Sequence, residues 1–211
     1  MFIELVDALR CPRPHEESWL VLSATRLEAR HVREGTLGCP ICHAEYPIEG
    51  GIADFRVKER TSPIDASAMP EIPAPEELAA MLALTDPLGF VVLVGAWARR
   101  ADALLDLLDA PPFLLVDPPE DVAIGPGLSG IRAGIELPIA AGAARGVAVD
   151  DTTPARVQSA ARTTRAGGRL VAPVHAFLPA GVRELARDSR VWVAEREATP
   201  SAPIALHVRR G

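Results

Sequence analysis

Lysine is almost missing from this 211-residue chain, aromatic residues make up only 4% of it, and cysteine occurs three times. Each scarcity excludes something. With almost no lysine and a net charge of -6, the chain has no global basic surface to hold a phosphate backbone, which argues against nucleic acid as a partner. No apolar run is long enough to cross a bilayer: GFVVLVGAWA at 89–98 falls well short of the roughly 20 residues a spanning helix needs, so no membrane partner is expected. The three cysteines all precede residue 43, an odd number at metal-like spacing, and MFIELVDALR carries charge among its apolar residues and so does not read as a secretory signal. Those features predict a soluble protein of the reducing cytoplasm. Hydrophobic residues are plentiful at 48%, enough for a real core, and the length suits one ordinary domain plus a small appendage.

Along the chain, the β-branched and aromatic residues of SWLVLSATRLEARHVREGTLG predict two strands, near 18–24 and 28–37, and AEYPIEGGIADF predicts a bend, a Gly-Gly turn and a short strand. This β unit, residues 1–56, has too few apolar residues for a core of its own, and units of that size usually need a metal, a disulfide or a partner. Residues 57–75, rich in Pro, Ser and charge, read as a linker. From residue 76 to 211, apolar runs alternate with amphipathic stretches. A helix at PEELAAMLAL, strands at FVVLVG and FLLVD with ARRADALLDLL between them, weaker strands at SGIRAG and GVAVDD, a helix from Pro154 capped by Thr153, and a strand at GGRLVAPV predict an α/β domain with a parallel sheet. VWVAERE at 191–197 and PIALHVRR at 203–210, separated by a short turn, predict a closing antiparallel hairpin.

Two Cys-Pro turns carry the metal chemistry. CPICH at 39–43 supplies Cys39 and Cys42 from one tight loop, and CPRPH at 11–15 supplies Cys11 and His15, with Pro14 where a second cysteine would stand. A tetrahedral zinc ion takes four Cys or His ligands, and a longer imidazole can reach from the fourth position, so Cys11, His15, Cys39 and Cys42 form a candidate Cys3His set with His31 and His43 in reserve. Four protein ligands leave no place for a catalytic water, so such an ion is structural. The competing reading is three free thiols in a β unit held up by packing alone. LVDALRCP and GTLGCPICHAEYPIEGGIADF resemble the zinc-ribbon family that includes small activator subunits of RNA and protein methyltransferases. The resemblance implies a ribbon that docks on a protein partner.

In an open parallel sheet, ligands bind beyond the carboxyl ends of the strands. After the first strand comes GAWARR, with only Gly95 of the glycines a nucleotide turn needs, and Trp97 is positioned to fill the cofactor's space. After the second comes Asp117, where an acid can accept hydrogen bonds from a ribose; AGIELP and the Asp150–Asp151 pair follow the third and fourth. Taken singly, each acid reads as a helix cap or a solvated loop charge. IELPIA, RAGGRLV and the terminal strands resemble the class I S-adenosylmethionine-dependent methyltransferases. That resemblance implies a Rossmann-like seven-stranded sheet ordered 3-2-1-4-5-7-6, with Gly95, Asp117 and Glu136 at cofactor-contacting positions. The order of ribbon and α/β domain also resembles ribosomal-RNA guanine methyltransferases with an N-terminal zinc ribbon, in which case Arg26, Arg30 and Arg33 would line an RNA-facing strand. GAW in place of a glycine-rich turn implies lost or weakened cofactor binding and a scaffold or regulatory subunit; the alternative is an active methyltransferase with a divergent loop.

Overall fold

The computed structural model describes residues 1–56, 72–107 and 112–198. Most of the expected linker and the expected strand at 203–210 lie outside these residues. The N-terminal part is a β meander. Strands β1 (Val21–Glu28) and β2 (His31–Gly38) meet at a two-residue turn in which Ala29 and Arg30 both take positive φ, and β3 (Glu45–Glu49) and β4 (Ile52–Asp54) meet at Gly50–Gly51. Both turns have the left-handed backbone that matches the twist of paired strands, and only the second uses the residue type that adopts it freely.

The α/β part follows the predicted alternation. Helix α1 (Pro75–Met81) precedes β5 (Val91–Val94), the 3-10 turn Gly95–Arg100 and α2 (Ala101–Leu107). Then come β6 (Phe113–Val116), β7 (Leu128–Arg132), β8 (Ala144–Ala148), α3 (Pro154–Thr163), β9 (Thr164–Pro173), β10 (Val182–Arg187) and β11 (Val191–Arg196). Every residue of β5, β6 and β8 is buried, as strands covered on both faces must be. Thr153 precedes α3 without a side-chain cap; instead Asp151 Oδ1 accepts the Thr153 N–H at 2.7 Å.

The sheet differs from the seven-stranded expectation. It has eleven strands in the order β1-β2-β3-β4-β7-β6-β5-β8-β9-β11-β10. Counted from β5, the last seven stand in the relative order 3-2-1-4-5-7-6, and the four N-terminal strands continue the same sheet beyond β7. The join is a parallel pairing of β4 with β7, Ile52 opposite Gly130 and Asp54 opposite Arg132. Gly130 has a reason to be glycine here, since a Cβ would meet Ile52 Cγ1 at 2.8 Å. The closing hairpin also differs: β11 has β9 on one edge and β10 on the other, so both of its hydrogen-bonding edges are taken without residues 203–210.

Two apolar layers flank the sheet, and the alternation of β5 and β6 sorts side chains between them. Val91, Leu93, Phe113 and Leu115 face a layer closed by Leu78, Leu82 and Leu104 of α1 and α2. Val92, Val94, Leu114 and Val116 face the other, which contains Val157 and Ala160 of α3 and also Val32, Leu37, Tyr46, Ile48 and Phe55 of the meander. The apolar side chains that were too few for a separate core therefore complete a shared one, each worth about 1.5–3 kcal/mol when fully buried. Tyr46 and Phe55 pack with ring centroids 4.7 Å apart. A bridge between Leu9 and Ile139, the Arg10 N–H donating to the Pro138 carbonyl at 2.9 Å, and the Phe2 N–H donating to Ser129 Oγ at 2.8 Å bind the N-terminal segment to the α/β part.

Candidate functional site

The Cys-Pro turns converge. One ligand atom each from Cys11, His15, Cys39 and Cys42 lies within 4.8 Å of the other three. Cys39 Sγ stands 3.5 Å from His15 Nε2 and Cys11 Sγ 3.6 Å from Cys42 Sγ. The second knuckle is shaped by the Cys39 N–H donating to the Ala44 carbonyl at 2.9 Å, the His43 N–H donating to the Cys39 carbonyl at 3.0 Å, and His43 in a positive-φ conformation that turns the chain. His15 Nδ1 lies 2.6 Å from the Glu16 carbonyl, so the proton sits on Nδ1 and the Nε2 lone pair points at the thiols. That carbonyl also holds the His15 pKa above its ordinary value. At Cys42 the effect of desolvation is outweighed by the Ala44 N–H and by hydrogen bonds from Cys39, Cys11 and His15, and the thiol falls to about 7. Burial raises Cys11, against the Tyr46 hydroxyl 3.2 Å from its sulfur. Three thiolates and one imidazole suit a tetrahedral soft-to-borderline cation, zinc above all. The reserve histidines are elsewhere: His31 is buried beside Phe2, and His43 lines a separate cleft with Val21 and Pro40.

At the carboxyl ends of the parallel strands, Gly95 and Asp117 do come together, through partners the sequence does not point to. Gly95 has φ +61°, and a Cβ there would fall within the Asp150 carboxylate, whose Oδ2 accepts the Ala96 N–H at 2.7 Å. The one glycine kept in this turn thus makes room for an internal carboxylate. Asp117, also at positive φ, accepts the Ala133 N–H on Oδ1 at 2.9 Å and pairs through Oδ2 with the Arg156 guanidinium, which is 5% exposed and also donates to the Gly134 carbonyl. Above them Arg99 makes a two-point contact with Asp121, both distances 3.0 Å, strapping the Gly95 turn to the loop after β6.

Trp97 departs from the sequence expectation. Its indole does not fill the crevice; it is fully buried in the layer with Leu78, Leu93, Leu104 and Phe113. Polar groups close the crevice instead. Glu136 lies apart from Gly95 and Asp117, on the shared wall of two clefts of about 520 and 340 Å³ that flank it and Arg162. The arginine stripe is also neutralised: Arg26 pairs with Glu34 and Glu28, Arg30 with Glu4, and Arg33 with Glu28.

Asp150 yields a first prediction. Burial lifts its carboxyl above the ordinary range, so the folded state binds more protons than the unfolded one and this carboxylate costs stability as pH rises through that window. Asp150→Asn keeps an acceptor for Ala96 and loses the charge. It should melt above the parent at pH 7, with the gap closing as pH falls toward about 4, the ordinary aspartate range. Asp150→Ala, which strands the Ala96 N–H, should melt below it, by about 1–3 kcal/mol of lost stability.

Comparison with known proteins gives similarity without a family. No family model matches the sequence, and no curated protein does. Among solved structures, the antibiotic-resistance methyltransferase Kmr is similar at 17% identity and TM-score 0.39, over 60% of this chain and 94% of that one. A chain from the complex of the Haloferax volcanii Trm112 methyltransferase activator with a methyltransferase is similar at 12% identity and TM-score 0.47, over 59% and 90%. Geranyl diphosphate C-methyltransferase from Streptomyces coelicolor A3(2) is similar at 13% identity and TM-score 0.35, over 46% and 41%.

Proposed function

We propose that this chain is a methyltransferase-like protein whose cofactor crevice is closed by its own side chains, acting as a scaffold or regulatory subunit with a structural zinc ribbon as its docking module. One observation carries the reading: both polar features an adenosyl cofactor would use are occupied internally. Bare peptide at Gly95 is covered by Asp150, and the Asp117 carboxylate is spent on Ala133 and Arg156. S-Adenosylmethionine therefore does not fit the residues as they stand, since a ribose and a sulfonium-bearing chain would have to displace a buried ion pair and a buried carboxylate together. The relative order of the seven strands from β5 onward supports the methyltransferase-like reading, and the thiol and imidazole donors support zinc at Cys11, His15, Cys39 and Cys42. On the ribbon, Trp19, Val21, Leu27 and Ile41 stand exposed, which supports a protein partner in preference to a polyanion. Among the described residues no helix is long and apolar enough to cross a membrane.

The test is ligand-linked stability. A cofactor present at about 100 times its dissociation constant stabilises a protein by about 2.7 kcal/mol. The melting temperature of the full chain should stay flat in millimolar S-adenosylmethionine and in its demethylated product. A dose-dependent rise with either would reinstate the active-enzyme alternative.

A further inference from the structure

The Cys/His cluster carries a redox chemistry in addition to the structural role proposed for it, and this inference rests on that metal-centre reading. Its three sulfurs are not equivalent. Cys39 is 3% exposed, enclosed by the knuckle it starts, whereas Cys11 and Cys42 are both partly open to solvent and their sulfurs stand 3.6 Å apart. These two cysteines lie on different knuckles, 31 residues apart in sequence. The polypeptide around them does not depend on the cluster for its core. Leu37, Tyr46, Ile48 and Phe55 pack into the same layer as Val92, Leu114 and Ile131, and β4 is hydrogen-bonded to β7. A small ribbon standing alone has no such second support and unfolds when its metal leaves.

From this we infer that the centre is a redox-responsive site, in which a peroxide converts Cys11 and Cys42 to a disulfide, the metal leaves, and the eleven-stranded sheet stays folded. The accessible thiolate of Cys42 attacks one peroxide oxygen; the O–O bond breaks, the sulfur becomes a sulfenic acid, and the departing hydroxide takes a proton from solvent to form water. Cys11 thiolate then attacks the sulfenic sulfur, the S–S bond forms, and a second hydroxide leaves and is protonated. Two thiolates, one peroxide and two protons give one disulfide and two waters, with two electrons passing from sulfur to oxygen. The cation, left with Cys39 and His15 of its four protein ligands, dissociates. The change has a place to be felt: Cys11, Pro14 and His15 wall the cleft of about 340 Å³ that also borders Glu136 and Arg162, so moving the first knuckle reshapes a surface shared by ribbon and α/β part.

The experiment treats purified full-length protein with hydrogen peroxide and follows metal release with a chromogenic chelator, disulfides by peptide mapping, and secondary structure by circular dichroism. Metal content before treatment, expected at about one per chain, tests the metal reading by itself. Peroxide should release that metal, produce a Cys11–Cys42 cross-link reversible by dithiothreitol, and leave the far-ultraviolet spectrum near that of the untreated protein. Cys11→Ser should abolish the cross-link. A protein that never held metal but still forms Cys11–Cys42 would sink the metal reading and keep the thiol pairing. A predominant Cys39–Cys42 disulfide, retention of metal in excess peroxide, or collapse of the β spectrum on oxidation would each overturn the inference.

Discussion

Arg156→Ala should be the most damaging single substitution in the α/β part, lowering the melting temperature by roughly 6–20 °C. Removing one partner of a buried ion pair costs about 3–5 kcal/mol because the other charge is left without compensation, and for a chain of this size each kcal/mol is worth about 2–4 °C. Arg156 is 5% exposed and serves two acceptors, the Asp117 carboxylate and the Gly134 carbonyl. Its loss leaves Asp117 with only the Ala133 N–H. The companion variant Asp117→Asn, combined with Arg156→Met, removes the charge from both sides. Asparagine tolerates the positive φ of 49° at this position and can still accept from Ala133, so the double variant should regain much of the loss. A double-mutant cycle with no coupling between 117 and 156 would show that the guanidinium is not what holds this crevice shut. Cofactor binding by Arg156→Ala would make the same arginine a gate in place of a wall.

How much of this fold is legible in the sequence depends on how local the signal is. The four metal-ligand candidates are legible because two Cys-Pro turns at ribbon spacing form local loops, and a loop carries its ligands wherever the chain goes. The parallel strands are legible because VVLV and FLLV are continuously apolar, as doubly covered strands are. VRELAR, which is β10, is not: it is an edge strand with nearly every residue exposed, so it shows no apolar alternation, and PIALHVRR is the more strand-like candidate for the hairpin. The merger of ribbon and α/β sheet rests on the three-residue strand IAD, too short to announce a partner. At the crevice, Gly95 and Asp117 stand out by their places after strands, but Asp150 and Arg156 act across 54 and 39 residues of sequence, and no spacing encodes such a contact. Trp97 points to the opposite side of its turn from the one its position suggests, because a tight 3-10 segment, Gly95–Arg100, rotates the indole down against α1 and α2.

Stripping the metal should produce the second large effect, and its character is more informative than its size. Dialysis against a strong chelator, or Cys39→Ser, should take the metal from about one per chain to less than about a tenth and lower the melting temperature well below that of the loaded protein. For an isolated ribbon peptide, where the apparent binding free energy of about 10–16 kcal/mol is also the folding free energy, the apo form is a coil. Here the meander's apolar residues are cross-packed with β5, β6 and α3, its last strand is hydrogen-bonded to β7, and its first turn is bridged to Ile139. The apo chain should therefore keep its β content at room temperature and melt in one cooperative transition, with faster amide exchange confined to residues 11–15 and 39–43. Two separate transitions, or loss of protection through β1 to β4, would mean that the metal and not the shared layer holds the ribbon to the sheet.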